Sequence, residues 1–519
     1  MNADSNHGWN ANRKLMSRTL PNLLANLAGT GWLALSSLIL APLYIHLLGI
    51  ESYALIGFYF VLQAALQIFD FGLGPMLNRE MARYLAQPER TSSVRAFVRK
   101  LEFGYWALGI LIGGCIWILT PFIANSWFEA ASLSKSVIQQ CLYLVAVITA
   151  VQWPITLYES GLIGLQRQVR LNSLQIMMIT LRSLGVVLVL LFIAPDIRLY
   201  FVWQLIFSIF QLVTLRVTFW RCLPPSTRAA QINDGGFRAA WRFALGMSGV
   251  NIAGLLLLQF DKIVLSWSLA LEEFGYYVLA TSVASALIVI IASVFNTTFP
   301  RFSALSAKDL PEQSRLFYHQ SSQLMAVLVL PVGVTLACFA NELIALWLRD
   351  DSVTVAVAPI AQLLIIGTML YGLRYVSFTV QLASGWTSLA FWLNLLLALF
   401  YLPAIFLLGQ DYGAKGAASA WICLNLIYLI VSVILTHRRF SLGGTGWWFI
   451  KDVCPAMIVS ILVALLGRGL LANQSNVVIA LIGCPVVCLT AMGLSILATR
   501  DIRLWLKQQL VSFRSSVAL

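Results

Sequence analysis

Nine stretches of this chain, none shorter than 22 residues, hold no Asp, Glu, Lys or Arg: 19–50, 103–128, 136–158, 274–300, 316–341, 352–373, 375–410, 416–437 and 469–499. A helix needs about 20 apolar residues to cross the hydrocarbon core of a bilayer. In that core every backbone N–H and C=O has to be bonded within its own segment, so runs of this length are helices. A transmembrane β-barrel would show short segments of alternating hydrophobicity instead. The expected fold is an all-α integral membrane protein. Only 11% of the 519 residues are charged, against about 25% in an average soluble domain.

Fourteen transmembrane helices are expected, at about 20–47, 53–77, 103–124, 137–164, 172–194, 198–220, 243–268, 274–300, 317–345, 353–383, 388–409, 415–437, 448–471 and 477–498. The basic residues test this assignment. Of 34 Arg and Lys, 26 fall on one set of helix ends and five (Lys135, Arg198, Arg349, Lys415, Arg468) on the other. The excess marks the cytoplasmic side and places both termini there. An odd number of helices would break the alternation. The net charge of +13 is spread over many short loops, which excludes a nucleic-acid surface and fits topology determinants. The polar first 19 residues precede an apolar run with no small-residue cleavage site, so that run reads as a retained first helix.

A faint internal repeat sets Glu51-Ser-Tyr-Ala beside Glu272-Glu-Phe-Gly, and the Arg79 loop beside the Arg301 loop. Both copies run in the same direction, as expected of two pseudo-symmetric six-helix lobes related by an axis along the membrane normal. The expected organisation is a cytoplasmic N-terminal segment (1–19), an N-lobe of helices 1–6 (20–220) and a cytoplasmic linker (221–242). A C-lobe of helices 7–12 (243–437), two C-terminal helices (438–498) and a cytoplasmic tail (499–519) follow. No loop is long enough for a conventional active site. The chain has no G-x-x-x-x-G-K-[ST] and no H-E-x-x-H, the signatures of a P-loop nucleotide site and a zinc protease. The eight cysteines form no C-x-x-C, and the four histidines show no metal-ligand spacing. Most of the cysteines read as small buried residues. No cofactor, metal or catalytic residue is expected.

Ionisable groups inside the spans carry the functional signal. Each costs about 2.5–3.5 kcal/mol on insertion scales and so needs a partner, a wet cavity or a task. They are Asp70, Glu159, Arg182, Asp261, Lys262 and Arg374. Asp261 and Lys262 interrupt an apolar run, and adjacent helical side chains diverge by about 100°. At least one should therefore face another helix or a cavity. Two readings stand: lining groups for an anionic substrate or coupling cation, or a structural ion pair with Arg182 or Asp70. An Arg fork suits phosphate oxygens, so Arg182 and Arg374 read either as diphosphate ligands or as partners of Asp70, Glu159 or Asp261. Asp70 reads as a gate, a cap or an interfacial anion, and Glu159 is equally ambiguous. Gly109 and Gly113 read as a helix-packing pair.

Four stretches then carry a resemblance. They are Pro42-Leu-Tyr-Ile-His-Leu-Leu-Gly-Ile-Glu-Ser-Tyr-Ala, Asp70-Phe-Gly-Leu-Gly-Pro-Met-Leu-Asn-Arg-Glu-Met-Ala, Asp261-Lys-Ile-Val-Leu with Glu273-Phe-Gly-Tyr-Tyr, and Tyr412-Gly-Ala-Lys-Gly-Ala-Ala-Ser-Ala. In order and spacing, over residues 20–437, the chain resembles the Wzx-type polysaccharide flippases of the multidrug/oligosaccharidyl-lipid/polysaccharide (MOP) exporter superfamily. It departs from the pattern at Ala54, where Gly is usual, and at Gly74-Pro75.

The resemblance implies a V-shaped pair of lobes around a central cavity lined by helices 1, 2, 7 and 8, in the bacterial inner membrane. The implied cargo is an undecaprenyl-diphosphate-linked oligosaccharide, moved by alternating access coupled to a proton or sodium gradient among membrane lipids. A polysaccharide polymerase or co-polymerase is a candidate partner. A charged sugar head cannot enter hydrocarbon without great cost. Lys262, Arg182 and Arg374 are the candidate diphosphate ligands, and Asn26, Gln63, Asn251 and Gln259 the candidate sugar ligands. Asp70, Asp261 and Glu159 are the candidates for ion coupling or gating. A lipid II-type flippase or a drug or cation antiporter of the same superfamily is the near alternative. A membrane glycan polymerase or ligase, or a structural scaffold in a secretion complex, is the distant one.

Overall fold

The computed structural model of the chain describes residues 32, 36, 38–70, 72–86, 91–223, 254, 257–471, 474 and 479–504. Helices dominate, and no β-strand occurs among the described residues. The first five are α1 (Leu38–Leu48), α2 (Ile50–Leu66, followed by a 3-10 turn Gln67–Asp70), α3 (Leu73–Ala86), α4 (Thr91–Phe122) and α5 (Lys135–Gly164). Next come α6 (Gln168–Phe192), α7 (Ile197–Cys222), α8 (257–268), α9 (Leu271–Ala307) and α10 (Pro311–Cys338). The short α11 (Ala340–Leu348) leads to α12 (Asp351–Ala383), α13 (Thr387–Phe440), α14 (Thr445–Leu471) and α15 (Leu481–Ala498).

Eleven helices among the described residues are long and apolar enough to cross a membrane. One of them, α13, runs for 54 residues but breaks at Gly413, where φ is 60° and ψ −145°. It therefore covers the two spans expected at 388–409 and 415–437. More than half of the span expected at 20–47 and half of that at 243–268 fall outside the described residues, as do Asn26, Asn251, the N-terminal segment, most of the linker and most of the tail.

Side chains are distributed as a bilayer demands. Leu470 is 83% exposed and Phe192 80%, whereas Asp452 and Gln381 are fully buried. Apolar surface on this scale has no place in water, and lipid is the solvent that accepts it. The cysteines differ from expectation. Only Cys141 and Cys484 are buried, while Cys115 and Cys423 are exposed on apolar helices. A thiol is weakly polar, and a lipid-facing position tolerates it as well as a core does.

The chain divides into two compact units, Met1–Leu255 and Leu256–Leu519. In the first, α5 is central and packs on α3, α4 and α7. Its contact with α4 is as close as the glycine pair suggests. A Cβ at Gly109 would lie 2.9 Å from the Ala150 carbonyl oxygen, and one at Gly113 2.7 Å from that of Ala146. The Ala150 carbonyl lacks its usual helical donor because residue 154 is proline. In the second unit α12 is central, against α9, α10 and α13, while α14 and α15 pack on each other and on α10.

Candidate functional site

The first unit holds its intramembrane charges in a layer of amides and hydroxyls. Arg182 of α6 donates from Nη2 to Gln211 Oε1 of α7, and its guanidinium lies 5.5 Å from the Phe207 ring centroid. Its Nε is buried with no hydrogen-bond partner among the described residues. Trp203 Nε1 fixes the backbone at this point by donating to the Arg182 carbonyl at 3.0 Å. Glu159 of α5 accepts from Gln175 Nε2 at 3.0 Å and reaches Arg182 through space. Nearby, Tyr59 donates to Gln152 at 3.1 Å, and Gln152 to Ser208 at 2.8 Å. Gln63 donates to Thr149 at 2.9 Å. The structure thus brings Arg182 and Glu159 into one polar region and gives Gln63 its own bond to α5.

Asp70 has its own set of partners. It accepts the Gly74 backbone N–H at 3.1 Å and the Tyr105 hydroxyl at 2.6 Å. A carboxylate at the start of α3 satisfies a free N–H and faces the positive end of the helix dipole.

In the second unit, Asp261 and Lys262 of α8 do face each other, contrary to the expectation from helix angles. Lys262 Nζ lies 3.3 Å from Asp261 Oδ1, and it also donates to the Leu258 carbonyl at 3.0 Å. The wheel angle applies at Cβ, but the four-carbon lysine stem is long enough to turn the ammonium back. Asp261 also accepts the Tyr277 hydroxyl of α9 at 2.7 Å. The buried Tyr401 hydroxyl of α13, which has no hydrogen-bond partner among the described residues, feels the Asp261 charge. Gln259 lies half-buried on the same helix.

Arg374 is only 8% exposed. Its guanidinium sits 3.8 Å from the Tyr428 ring centroid and 4.6 Å from that of Tyr371. Tyr428 in turn donates to Asn394 at 2.8 Å. Among the described residues no carboxylate is in salt-bridge contact with Arg374 or Arg182: Glu159 acts on Arg182 only through space, and the direct contacts of both guanidinium groups are π faces and an amide. A cation held by neutral groups keeps its full attraction for an anion.

Three arrangements lay beyond the sequence reading. The buried Glu102 accepts from the Tyr158 hydroxyl at 2.6 Å and from Arg216 Nε at 2.7 Å. His319 and Gln323 of α10 both bond the buried Asp452 of α14, and Gln323 also donates to Asp501 at 3.0 Å. Gln323 follows His319 by four positions, which places them on one helix face. That spacing was the available signal, although nothing in it names the partner.

The third arrangement concerns the acidic residues of the quoted motifs. Glu51 accepts the backbone N–H groups of Ala131, Ser132 and Leu133 at 2.7–2.9 Å, together with the Ser132 hydroxyl. Glu273 accepts the Ala414 N–H at 2.8 Å beside Gly413. A side chain at 413 would collide with Glu273 Oε1 and would have to adopt positive φ, so only glycine fits. The third and fourth motifs therefore meet in space.

A family described as polysaccharide biosynthesis protein matches residues 20–306. A putative O-antigen transporter of Shigella flexneri is 24% identical over 185 residues, which is 36% of this chain and 43% of that protein. The match thus spans under half the length of that relative. Among solved structures, an inward closed conformation of the lipid II flippase MurJ aligns with a TM-score of 0.70 at 14% identity, over 92% of this chain and 98% of the other. The Vibrio cholerae MATE transporter VcmN aligns at 0.58 and 16% identity, over 83% and 97%. An inward-facing multidrug resistance MATE family transporter of the MOP superfamily aligns at 0.60 and 14% identity, over 81% and 94%, so the chain shares the fold of these proteins.

Proposed function

The chain belongs to the polysaccharide biosynthesis protein family, and on that premise we propose that it flips a polyprenyl-diphosphate-linked oligosaccharide, the repeat unit of an O-antigen, capsule or exopolysaccharide, across the bacterial inner membrane. One observation carries the reading. Arg182 and Arg374 lie inside apolar helices, held by amide oxygens and aromatic faces instead of carboxylates. A lipid diphosphate is an anion that guanidinium groups without a bonded carboxylate attract, Arg374 above all since Arg182 also feels Glu159 through space, and Arg binds phosphate oxygens two at a time. Within the second unit Lys262, the more exposed member of its pair with Asp261, is a further cationic ligand in this reading, with Gln259 as a hydrogen-bonding group for sugars, and Gln63 has that role within the first unit. Movement is by alternating access driven by a proton or sodium gradient, with Asp261 as the coupling carboxylate because two tyrosines and a lysine surround it.

Depletion of the protein in cells tests the reading. Lipid-linked oligosaccharide should accumulate where a lectin added outside intact spheroplasts cannot reach it, and re-expression should restore labelling. Unchanged labelling after depletion would sink the proposal. A second reading, a lipid II-type flippase, draws on the structural likeness to MurJ. In that case the same assay traps lipid II and leaves the oligosaccharide lipid accessible.

A further inference from the structure

Helix α9 carries an exposed polar stripe on a segment that crosses the membrane. Asn296, Thr297 and Arg301 are exposed, and steps of four residues, as from Thr297 to Arg301, fall on one helix face. Beside this stripe runs an aromatic ridge. Phe295 and Phe299 stack with centroids 5.3 Å apart, and Tyr375 of α12 meets Phe295 edge-on at 5.4 Å. All three rings are half-buried, each with part of its surface open. Arg301, at the end of the stripe, lies over Phe317 at 4.3 Å and stays exposed.

Lipid does not explain this combination. An amide exposed to hydrocarbon without a partner is costly, and Asn296 lies within the charge-free stretch 274–300. A pyranose ring matches it. One face of the ring is a patch of C–H groups that packs on the negative face of an aromatic ring. Its edge is a row of hydroxyls that pairs with amides and hydroxyls. A sugar tied to a diphosphate adds the anion that Arg301 would meet.

We propose that the Phe295–Phe299–Tyr375 ridge, with Asn296 and Thr297 beside it, is the platform that carries the glycan of the lipid-linked cargo, and that Arg301 takes its diphosphate. This rests on the flippase reading and assigns it a substrate-binding surface within the second unit. The basic residues place the Arg301 end of α9 on the cytoplasmic side, where a newly made lipid-linked sugar arrives.

The test uses the full-length protein in nanodiscs and two probes: a short-chain prenyl diphosphate bearing a trisaccharide, and the same prenyl diphosphate without sugar. Phe295→Leu and Tyr375→Leu should weaken binding of the glycosylated probe about tenfold, the worth of one good aromatic contact, and leave the bare probe unaffected. Arg301→Gln should weaken both. Tyr375→Phe keeps the ring and should bind as the parent does, which separates ring loss from misfolding. Equal weakening of both probes by the leucine variants, or none, overturns the platform while the flippase reading stands. A parent protein that binds neither probe overturns both.

Discussion

Glu51 shows what the acidic residues of this chain do when they are not in the membrane core. One carboxylate gathers three backbone N–H groups and a hydroxyl from the turn between α4 and α5. Hydrogen bonds to a charged acceptor are worth about 1.5–3 kcal/mol each at most, and orphaned donors carry their own penalty. Glu51→Ala should therefore lower stability by about 3 kcal/mol, read as a fall in the midpoint of thermal unfolding. Glu51→Gln, which keeps an acceptor but not the charge, should fall between. A midpoint for Glu51→Ala equal to the parent's would show that water replaces the clasp. Residues of this kind were legible in sequence only as members of a motif. Apart from the Ser132 hydroxyl, their partners at 131–133 and 414 are main-chain atoms, and a sequence carries no sign of which backbone amide a carboxylate will find. The intramembrane charges were legible as a set, because isolated ions in apolar runs stand out. Their pairings were not. Asp261 turned to its own neighbour through the reach of a lysine stem, and Arg374 to tyrosine rings that sequence treats as core.

At the scale of elements, charge-free length was enough to locate most helices, since a bilayer leaves the backbone no alternative. What length could not locate was how closely they approach. Gly164 at the end of α5 is the sharpest case. A Cβ there would stand 2.5 Å from the Asn78 carbonyl oxygen and 2.6 Å from Met81 Cβ, both on α3. Backbone cannot swing aside as a side chain can. Gly164→Ala should push α3 and α5 apart and cost about 1–3 kcal/mol, the usual penalty of overpacking a close contact. Gly114, where an added methyl group would meet nothing within 4 Å, supplies the control. Gly114→Ala should leave stability unchanged or raise it slightly through helix propensity. If the two substitutions behave alike, the α3–α5 contact is looser than these distances imply. The Asp70 cap belongs to the same junction: its Oδ2 lies 3.3 Å from a Cβ placed on Gly74. The Gly74-Pro75 departure from the family pattern thus sits where α3 begins under a carboxylate.

On the scale of the whole molecule, the two C-terminal helices are the part that the repeat did not cover, and the structure shows how they are fastened within the second unit. Asp452 is fully buried and bonded by His319 and Gln323 of α10. Gln323 also receives the backbone N–H groups of Asp501 and Ile502, just beyond α15, at 3.1 and 3.3 Å. Lys451 closes the group on Asp501 at 3.1 Å. Two side chains of α10 therefore hold the chain on both sides of the α14–α15 pair. Removing one member of a buried charged group strands the others and costs about 3–5 kcal/mol, whereas replacing the members together with apolar side chains can be neutral. Asp452→Ala should consequently release α14 and α15 ahead of the rest. Amide hydrogen exchange across 445–504 should accelerate while α4, α5 and α7 exchange as in the parent. A combined His319→Leu, Asp452→Leu protein, with Gln323 still bonded to the Asp501 and Ile502 backbone, should recover most of the lost protection, because no charge is left unpaired between α10 and α14. Acceleration spread evenly through the chain would mean that the C-terminal helices are integral to one folding unit. No acceleration anywhere would mean that the apolar contacts of α14 and α15 with α10 suffice alone, and that the buried polar group serves something other than attachment.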